Sequence, residues 1–250
     1  MVEDPDAVLH DAVLQVAVHS RPDDARVVAV ILGGQVTWRW QLAGDALLAV
    51  DAGTEGRRQA AGVVVDALHQ RGDRGDWFLA ANLVAAVGLP GPTILADSAD
   101  RLPDLIPLPV DLDSVADVID SRGAGGWVDP STGLAADRDL VDPYDLDREE
   151  DEGDEQLPGW IELDALGSRE AYQDMADFTG TVSEGGLRAR LDRALRGERP
   201  FRRFADTLHQ TDPDEVSRWY AFRDERRLGR ARRYLVDCGY LPLPVSTRNR

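Results

Sequence analysis

The chain has 250 residues, 43% of them hydrophobic, and a formal net charge of −18. That length holds one large domain or two small ones, with enough apolar material for a packed core. A net charge of this sign disfavours a nonspecific DNA binder as a whole, though not a local basic site. The single cysteine, Cys238, excludes an internal disulfide framework and fits a reducing compartment. The start, MVEDPD, is acidic and lacks a basic n-region, and no apolar run approaches spanning length. The expectation is a soluble cytoplasmic protein.

The charge is unevenly placed. Residues 185–250 carry 16 arginines and 9 acidic residues; residues 1–184 carry 12 arginines and 37 acidic residues. All 28 basic side chains are arginine, whose planar fork suits carboxylates and phosphates but also serves ordinary helix salt bridges.

In chain order, Asp6 to Val18 predicts a helix with Leu9, Val13 and Val16 on one face. Val27 to Leu32, Gly33-Gly34 and Gln35 to Leu42 predict a β-hairpin, because a two-residue primed turn needs positive φ. Val36, Trp38, Trp40 and Leu42 alternate with polar residues and are expected in the core. Ala46 to Val50 predicts a third strand. Glu55 to Gln70 is expected as a helix with Ala60, Ala61, Val64 and Leu68 inward, and Trp77 to Val87 as another, stopped by Gly88 and Pro90. The first 88 residues thus predict a small α-β-β-β-α domain. Double-stranded RNA-binding domains share that order, and Arg57-Arg58 stands where they carry a basic pair, but topology alone carries no function.

Five prolines between Leu89 and Pro109 predict an extended connector, residues 89–109. A domain over 110–241 and a tail over 242–250 follow. Asp111 to Asp120 predicts a short helix, and Trp127 to Leu134 a strand, turn and strand around Asp-Pro-Ser-Thr-Gly. Asp137 to Glu155 is the most acidic segment. It reads as a solvated loop or as an intramolecular shield over the arginines; spacing from Asp145 or Asp147 excludes an EF-hand. Pro158 to Leu163 predicts a strand anchored by Trp160. Ser168 is expected to cap a helix bearing Tyr172, Met175, Ala176 and Phe178. Leu187, Leu191 and Leu195 mark the next helix, stopped by Gly197. Pro200 opens another with Phe201, Phe204, Ala205 and Leu208 inward. Asp212-Pro213 opens a further helix carrying Trp219 and Phe222, Asp224 is expected to cap a last one with Leu228, Ala231 and Leu235, and Gly239 stops it. The fold class expected is α+β: the small N-terminal domain, then a hairpin and strand leading into a helical cluster.

Several pieces keep a specific order and spacing. They are Val110-Asp111-Leu112, Gly126-Trp127-Val128-Asp129 with Ser131-Thr132-Gly133, Trp160-Ile161, Met175-Ala176-Asp177-Phe178, the run from Leu191 to Leu208, and Arg218-Trp219-Tyr220-Ala221-Phe222 followed by Asp224-Glu225-Arg226. With these, residues 108–241 resemble the uncharacterised bacterial protein family 0158, with residues before them resembling an extension of longer members. The resemblance implies no activity to carry over.

The four histidines, His10, His19, His69 and His209, have no metal-ligand spacing with each other or with Cys238, so no metal and no cofactor is expected. No nucleophile elbow, P-loop or dinucleotide fingerprint occurs, and no catalytic residue is assigned. Cys238 is expected to pack rather than react. Arg188, Arg190, Arg193, Arg196, Arg199, Arg202 and Arg203 read either as a solvated face bridged to Asp192, Glu198 and Asp206, or as an anion-binding surface for a nucleic acid or an acidic protein segment. Tyr220 is the candidate stacking side chain. The candidate anion contacts are Arg199, Arg202, Arg203 and Arg223, which makes the chain a binding or regulatory module. The alternatives are an enzyme with an Asp/Glu acid-base pair or an interaction domain with no anion site.

Overall fold

The computed structural model describes residues 5–9, 24–50, 55–90, 95–121, 123–141, 159–183, 185–211 and 213–245. The elements are α1 (Asp24–Leu32), α2 (Trp40–Ala49), α3 (Glu55–Arg71), α4 (Arg74–Val87), α5 (Ala96–Arg101), β1 (Ile106–Pro109), α6 (Leu112–Ile119), β2 (Gly126–Asp129), β3 (Leu134–Asp137), β4 (Ile161–Leu163), α7 (Ser168–Thr181), α8 (Gly186–Arg196), α9 (Pro200–His209), α10 (Pro213–Asp237) and β5 (Tyr240–Leu243). The molecule is mixed helix and strand, mostly helical, with a helical cluster at its C-terminal end.

The N-terminal part departs from the expected order. Residues 27–32 and 46–49 lie in helices, so no hairpin and no third strand form there. Val27, Val30 and Ile31 are buried at i, i+3 and i+4, a helical stripe that a short β-branched run conceals. Gly34 supplies the positive φ (67°), but it ends α1 rather than turning a hairpin. Its N–H donates to Ile31 O, and the Gln35 N–H to Val30 O (3.1 and 3.2 Å), which is a Schellman stop. Trp38 is 41% exposed, not core, and Trp40 opens α2 half-buried. Residues 5–9 are helical, with Val8 and Leu9 buried; the rest of the first expected helix lies outside the described residues. α3 and α4 fall where expected, with Ala60, Ala61, Val64 and Leu68 buried against the neighbouring helices rather than a sheet. Gly88 caps α4 in the left-handed region.

The proline-rich stretch is not a bare connector: it holds α5 and β1. β1 pairs in parallel with β5, Ile106 opposite Tyr240 and Pro109 opposite Leu243. This two-stranded sheet accommodates prolines because an edge strand needs few ladder donors. The expected strand–turn–strand forms the β2–β3 pair, and β4 adds to β2 on its other side, all antiparallel. Asp111 caps α6 by accepting from the Asp113 N–H (3.1 Å). Val115, Val118 and Ile119 of α6 pack with Val128, Ile161 and Leu163 under the sheet.

α10 is the spine. Its 25 residues are about 37 Å long at 1.5 Å per residue. Near its start, Trp219 joins Phe178 of α7 and Phe204 of α9 in edge-to-face contacts, centroids 5.2 and 4.9 Å apart. Further along, Leu228, Ala231 and Leu235 complete the core under the sheet. A third side meets α2 and α4. Asp224, expected as a cap, lies inside this one helix, because Asp-Glu followed by Arg interrupts neither the stripe nor the ladder. Gly167, not Ser168, is the residue before α7, and it makes no side-chain cap. Ala205 is exposed, whereas Phe204 and Leu208 are buried as expected. The Asp212 cap and the acidic stretch 142–158 lie outside the described residues.

Candidate functional site

Helical spacing sorts the charges of α10 into stripes. Glu225, Gly229 and Arg232, at i, i+4 and i+7, face α2 and α4. There the Glu225 carboxylate accepts the Gln41 N–H (2.8 and 3.0 Å) and an Arg71 N–H (2.7 Å). Arg71 also holds Asp76, whose carboxylate accepts from the Gln41 side-chain amide (2.7 Å). Arg232 donates to the Gln41 side-chain oxygen (2.9 Å) and to both Asp45 oxygens (2.7 Å each). This is a closed polar seam in the interior. Every charge in it has an opposite, which is what burial demands.

Burial dominates Glu225 and pushes its carboxyl up to about 6, against the pull of Arg71 and the Gln41 N–H. The folded state therefore takes up that proton before the unfolded chain does. Stability from Glu225 is present at low pH and is lost as pH rises from 4.5 toward 6. The interval corresponds to about 2 kcal/mol. Urea titrations at pH 5 and pH 7 are expected to show wild type losing stability relative to Glu225→Gln across that window; equal differences at both pH values would contradict this.

The next stripe, Arg226, Arg230 and Arg233, faces α7. Arg226 binds Asp73, Asp174 and Asp177 (2.6, 3.3 and 2.5 Å), and Arg230 binds Asp120 and Asp174 (2.6 and 2.7 Å). Burial raises the Asp174 carboxyl above the usual range, against Arg230 and Arg226. Arg227 pairs with Asp117 and Asp120. Beside this stripe opens a cleft of about 340 Å³, lined by residues of α7 and α10 and by Asp73 and Gly75 at the start of α4.

The candidate arginines separate into two groups. Arg223 is half-buried on α10, donates to Asp224 (3.1 Å) and lies over the Tyr220 ring (5.1 Å). Tyr220 is itself 38% exposed. Arg199, Arg202 and Arg203 are exposed at the start of α9, following Arg190, Arg193 and Arg196, which are exposed on α8. Leu191, Leu195, Phe204 and Leu208 turn inward from the same two helices and fix that outward placement. Among the seven arginines from 188 to 203, the described residues offer one ion pair, Arg202 with Asp206 at 3.7 Å. Its partners are 76% and 63% exposed, so it contributes little. Arg199 is also the one described non-glycine residue with positive φ (55°), and as the residue before α9 it makes no side-chain cap.

Of the other sequence candidates, Arg57 is buried and donates twice to Leu47 O (2.9 and 2.7 Å), so it presents no charge to a partner. Cys238 is exposed just after α10, where partial burial of the thiol and Asp237 hold it above its ordinary value. No group of three His, Cys, Asp or Glu among the described residues is placed to hold a metal, and no described helix is long and apolar enough to cross a membrane. The sequence reading missed the seam and the cleft. Their signal was the two i, i+4, i+7 stripes, Glu225, Gly229, Arg232 and Arg226, Arg230, Arg233, running beside Leu228, Ala231 and Leu235. No family model, no curated protein and no solved structure matches the chain.

Proposed function

We propose that the chain is a cytoplasmic binding module whose α8–α9 hairpin docks a polyanionic partner, a nucleic acid or an acidic protein segment. The observation that carries this is the contrast between two arginine sets. On α10, Arg218, Arg223, Arg226, Arg227, Arg230 and Arg232 are paired with carboxylates, and Arg233 is the exception among the described residues. On α8 and α9 and between them, Arg190, Arg193, Arg196, Arg199, Arg202 and Arg203 are exposed, Arg188 is half-buried, and the weak Arg202–Asp206 pair is their one ion pair among the described residues. Spent guanidinium groups hold the fold; unspent ones are available to attract and orient an anion. The contacts are Arg199, Arg202 and Arg203, with Arg190, Arg193 and Arg196 adjoining. Arg199 is held in a left-handed conformation that glycine adopts at less cost, and such strain accumulates at functional positions. The buried carboxylates Asp45, Asp76, Asp174 and Glu225 each accept from arginine, which weighs against the acid-base reading at those four. Kinship of residues 108–241 with family 0158 belongs to the same proposal and rests on motif order.

Fluorescence anisotropy with a single-stranded RNA and with an acidic peptide, each titrated from low to high salt, tests the reading. The triple variant Arg199→Ala/Arg202→Ala/Arg203→Ala is expected to bind its polyanion roughly tenfold more weakly at low salt, with a slope against salt shallower by about 2 for RNA. Arg223→Ala is expected to leave that slope unchanged. Binding that ignores the triple variant would overturn the assignment.

A further inference from the structure

We propose that the cleft between α4, α7 and α10 binds an acidic α-amino acid as a free small molecule. The proposal does not depend on the α8–α9 hairpin, whose arginines do not line this cleft. The volume, about 340 Å³, lies at the small end of ligand pockets. Its charged lining is Asp73, Arg169, Glu170, Asp174, Arg226, Arg230 and Arg233. Most of that charge is already used. Asp73 is held by Arg226, Asp174 by Arg226 and Arg230, and Arg230 also by Asp120. The Gln173 side-chain amide donates to Asp177 (2.7 Å).

Three lining side chains keep unspent charge. Arg169 and Arg233 have no carboxylate partner among the described residues, and Arg233 is half-buried. Glu170 is partly buried, and its Oε2 is enclosed with no hydrogen-bond partner. An enclosed carboxylate oxygen without a donor is costly, and a half-buried guanidinium without an anion is a similar debt. Two cations and one anion define the complement: two carboxylates and one ammonium. A guanidinium fork accommodates a carboxylate in bidentate fashion, and a carboxylate accepts from an ammonium. An acidic α-amino acid carries those three groups and a net charge opposite to that of the trio. A simple dicarboxylate lacks the donor for Glu170, inorganic phosphate offers it a hydroxyl but no cation, and both set further negative charge against Glu170 and Asp174. At the floor the α4 backbone at Gly75 lies directly against that of Gly229.

Isothermal titration calorimetry on the full chain tests this with L-glutamate as the probe and glutarate, L-glutamine and inorganic phosphate as comparators. Saturable binding of L-glutamate is expected, with each comparator at least about tenfold weaker. Arg233→Gln is expected to weaken L-glutamate by about tenfold. Glu170→Gln is expected to erase the preference for L-glutamate over glutarate, since only the former brings an ammonium. Thermal unfolding of each variant checks the fold; if Arg233→Gln fails it, the exposed Arg169→Gln carries the same expectation. Absence of saturable L-glutamate binding, phosphate binding as tightly, or an unchanged glutamate-to-glutarate ratio in Glu170→Gln would overturn the proposal.

Discussion

Arg232→Ala is expected to cost about 3–5 kcal/mol of unfolding free energy, the range found when one partner of a buried ion pair is removed. Arg232 is 1% exposed, and it is the hub between α10 and α2. Its guanidinium donates to Asp45 through two bonds of 2.7 Å and to the Gln41 side-chain oxygen at 2.9 Å. Asp45 has no other partner among the described residues. Without Arg232 it is a buried carboxylate with nothing to accept from, in a place where burial already raises its pKa. The variant is therefore expected to regain part of its loss at acid pH, as Asp45 takes up a proton and the buried charge disappears. Asp45→Ala/Arg232→Ala removes both charges and is expected to be more stable than Arg232→Ala alone, which separates stranded charge from lost packing. Urea unfolding of wild type, Arg232→Ala, Asp45→Ala and the double variant supplies the cycle. A single-variant cost below about 1 kcal/mol, within the range of ordinary surface changes, would mean the seam is not closed as described.

The seam also explains what could and could not be read from the residues. α3, α4, α6, α8 and α9 are legible because their apolar stripes are bounded by Gly88, Asp111, Gly197 and Pro200, which act locally. The β2–β3 turn is legible because Asp129 bonds its own loop, accepting from the Ser131 N–H and the Thr132 hydroxyl (2.8 and 2.9 Å). Gly33-Gly34 misleads because positive φ serves a hairpin and a helix stop equally, and only the partner of the Gln35 N–H distinguishes them. β5 is hidden because Pro242 demotes a short strand, and its pairing with β1 spans more than a hundred residues. The division among the arginines is hidden for a different reason. Arg203 and Arg232 look alike in a helical run, and burial depends on what α2 and α4 bring to the other side. The exposed candidates at 199, 202 and 203 follow from the α8–α9 stripe; Arg223 needed coordinates to show its pairing with Asp224.

Gly75→Ala is expected to destabilise the fold by about 3 kcal/mol, while Gly229→Ala, at the same crossing, is expected to be neutral or mildly stabilising. A Cβ on Gly75 would lie 2.1 Å from the Gly229 carbonyl oxygen and 2.7 Å from the Gly229 Cα. Those are backbone atoms of α10, fixed by its own hydrogen-bond ladder, so no rotamer change relieves the overlap and the two helices must part. Parting them strains the contacts that flank the crossing, Arg71 with Glu225 on one side and Asp73 with Arg226 on the other. Among the described residues, a Cβ on Gly229 meets only the Gln41 Nε2, at 3.6 Å, an ordinary contact. Alanine there also removes the cost of glycine inside a helix, about 1 kcal/mol. The asymmetry is the informative part. Helix propensity separates an interior glycine from one in a first turn by no more than about 1 kcal/mol, so a difference of several kcal/mol in denaturant unfolding reports the direction in which each Cα–H points. Equal effects would show that α4 does not cross α10 at this point, and the floor of the cleft would go with it.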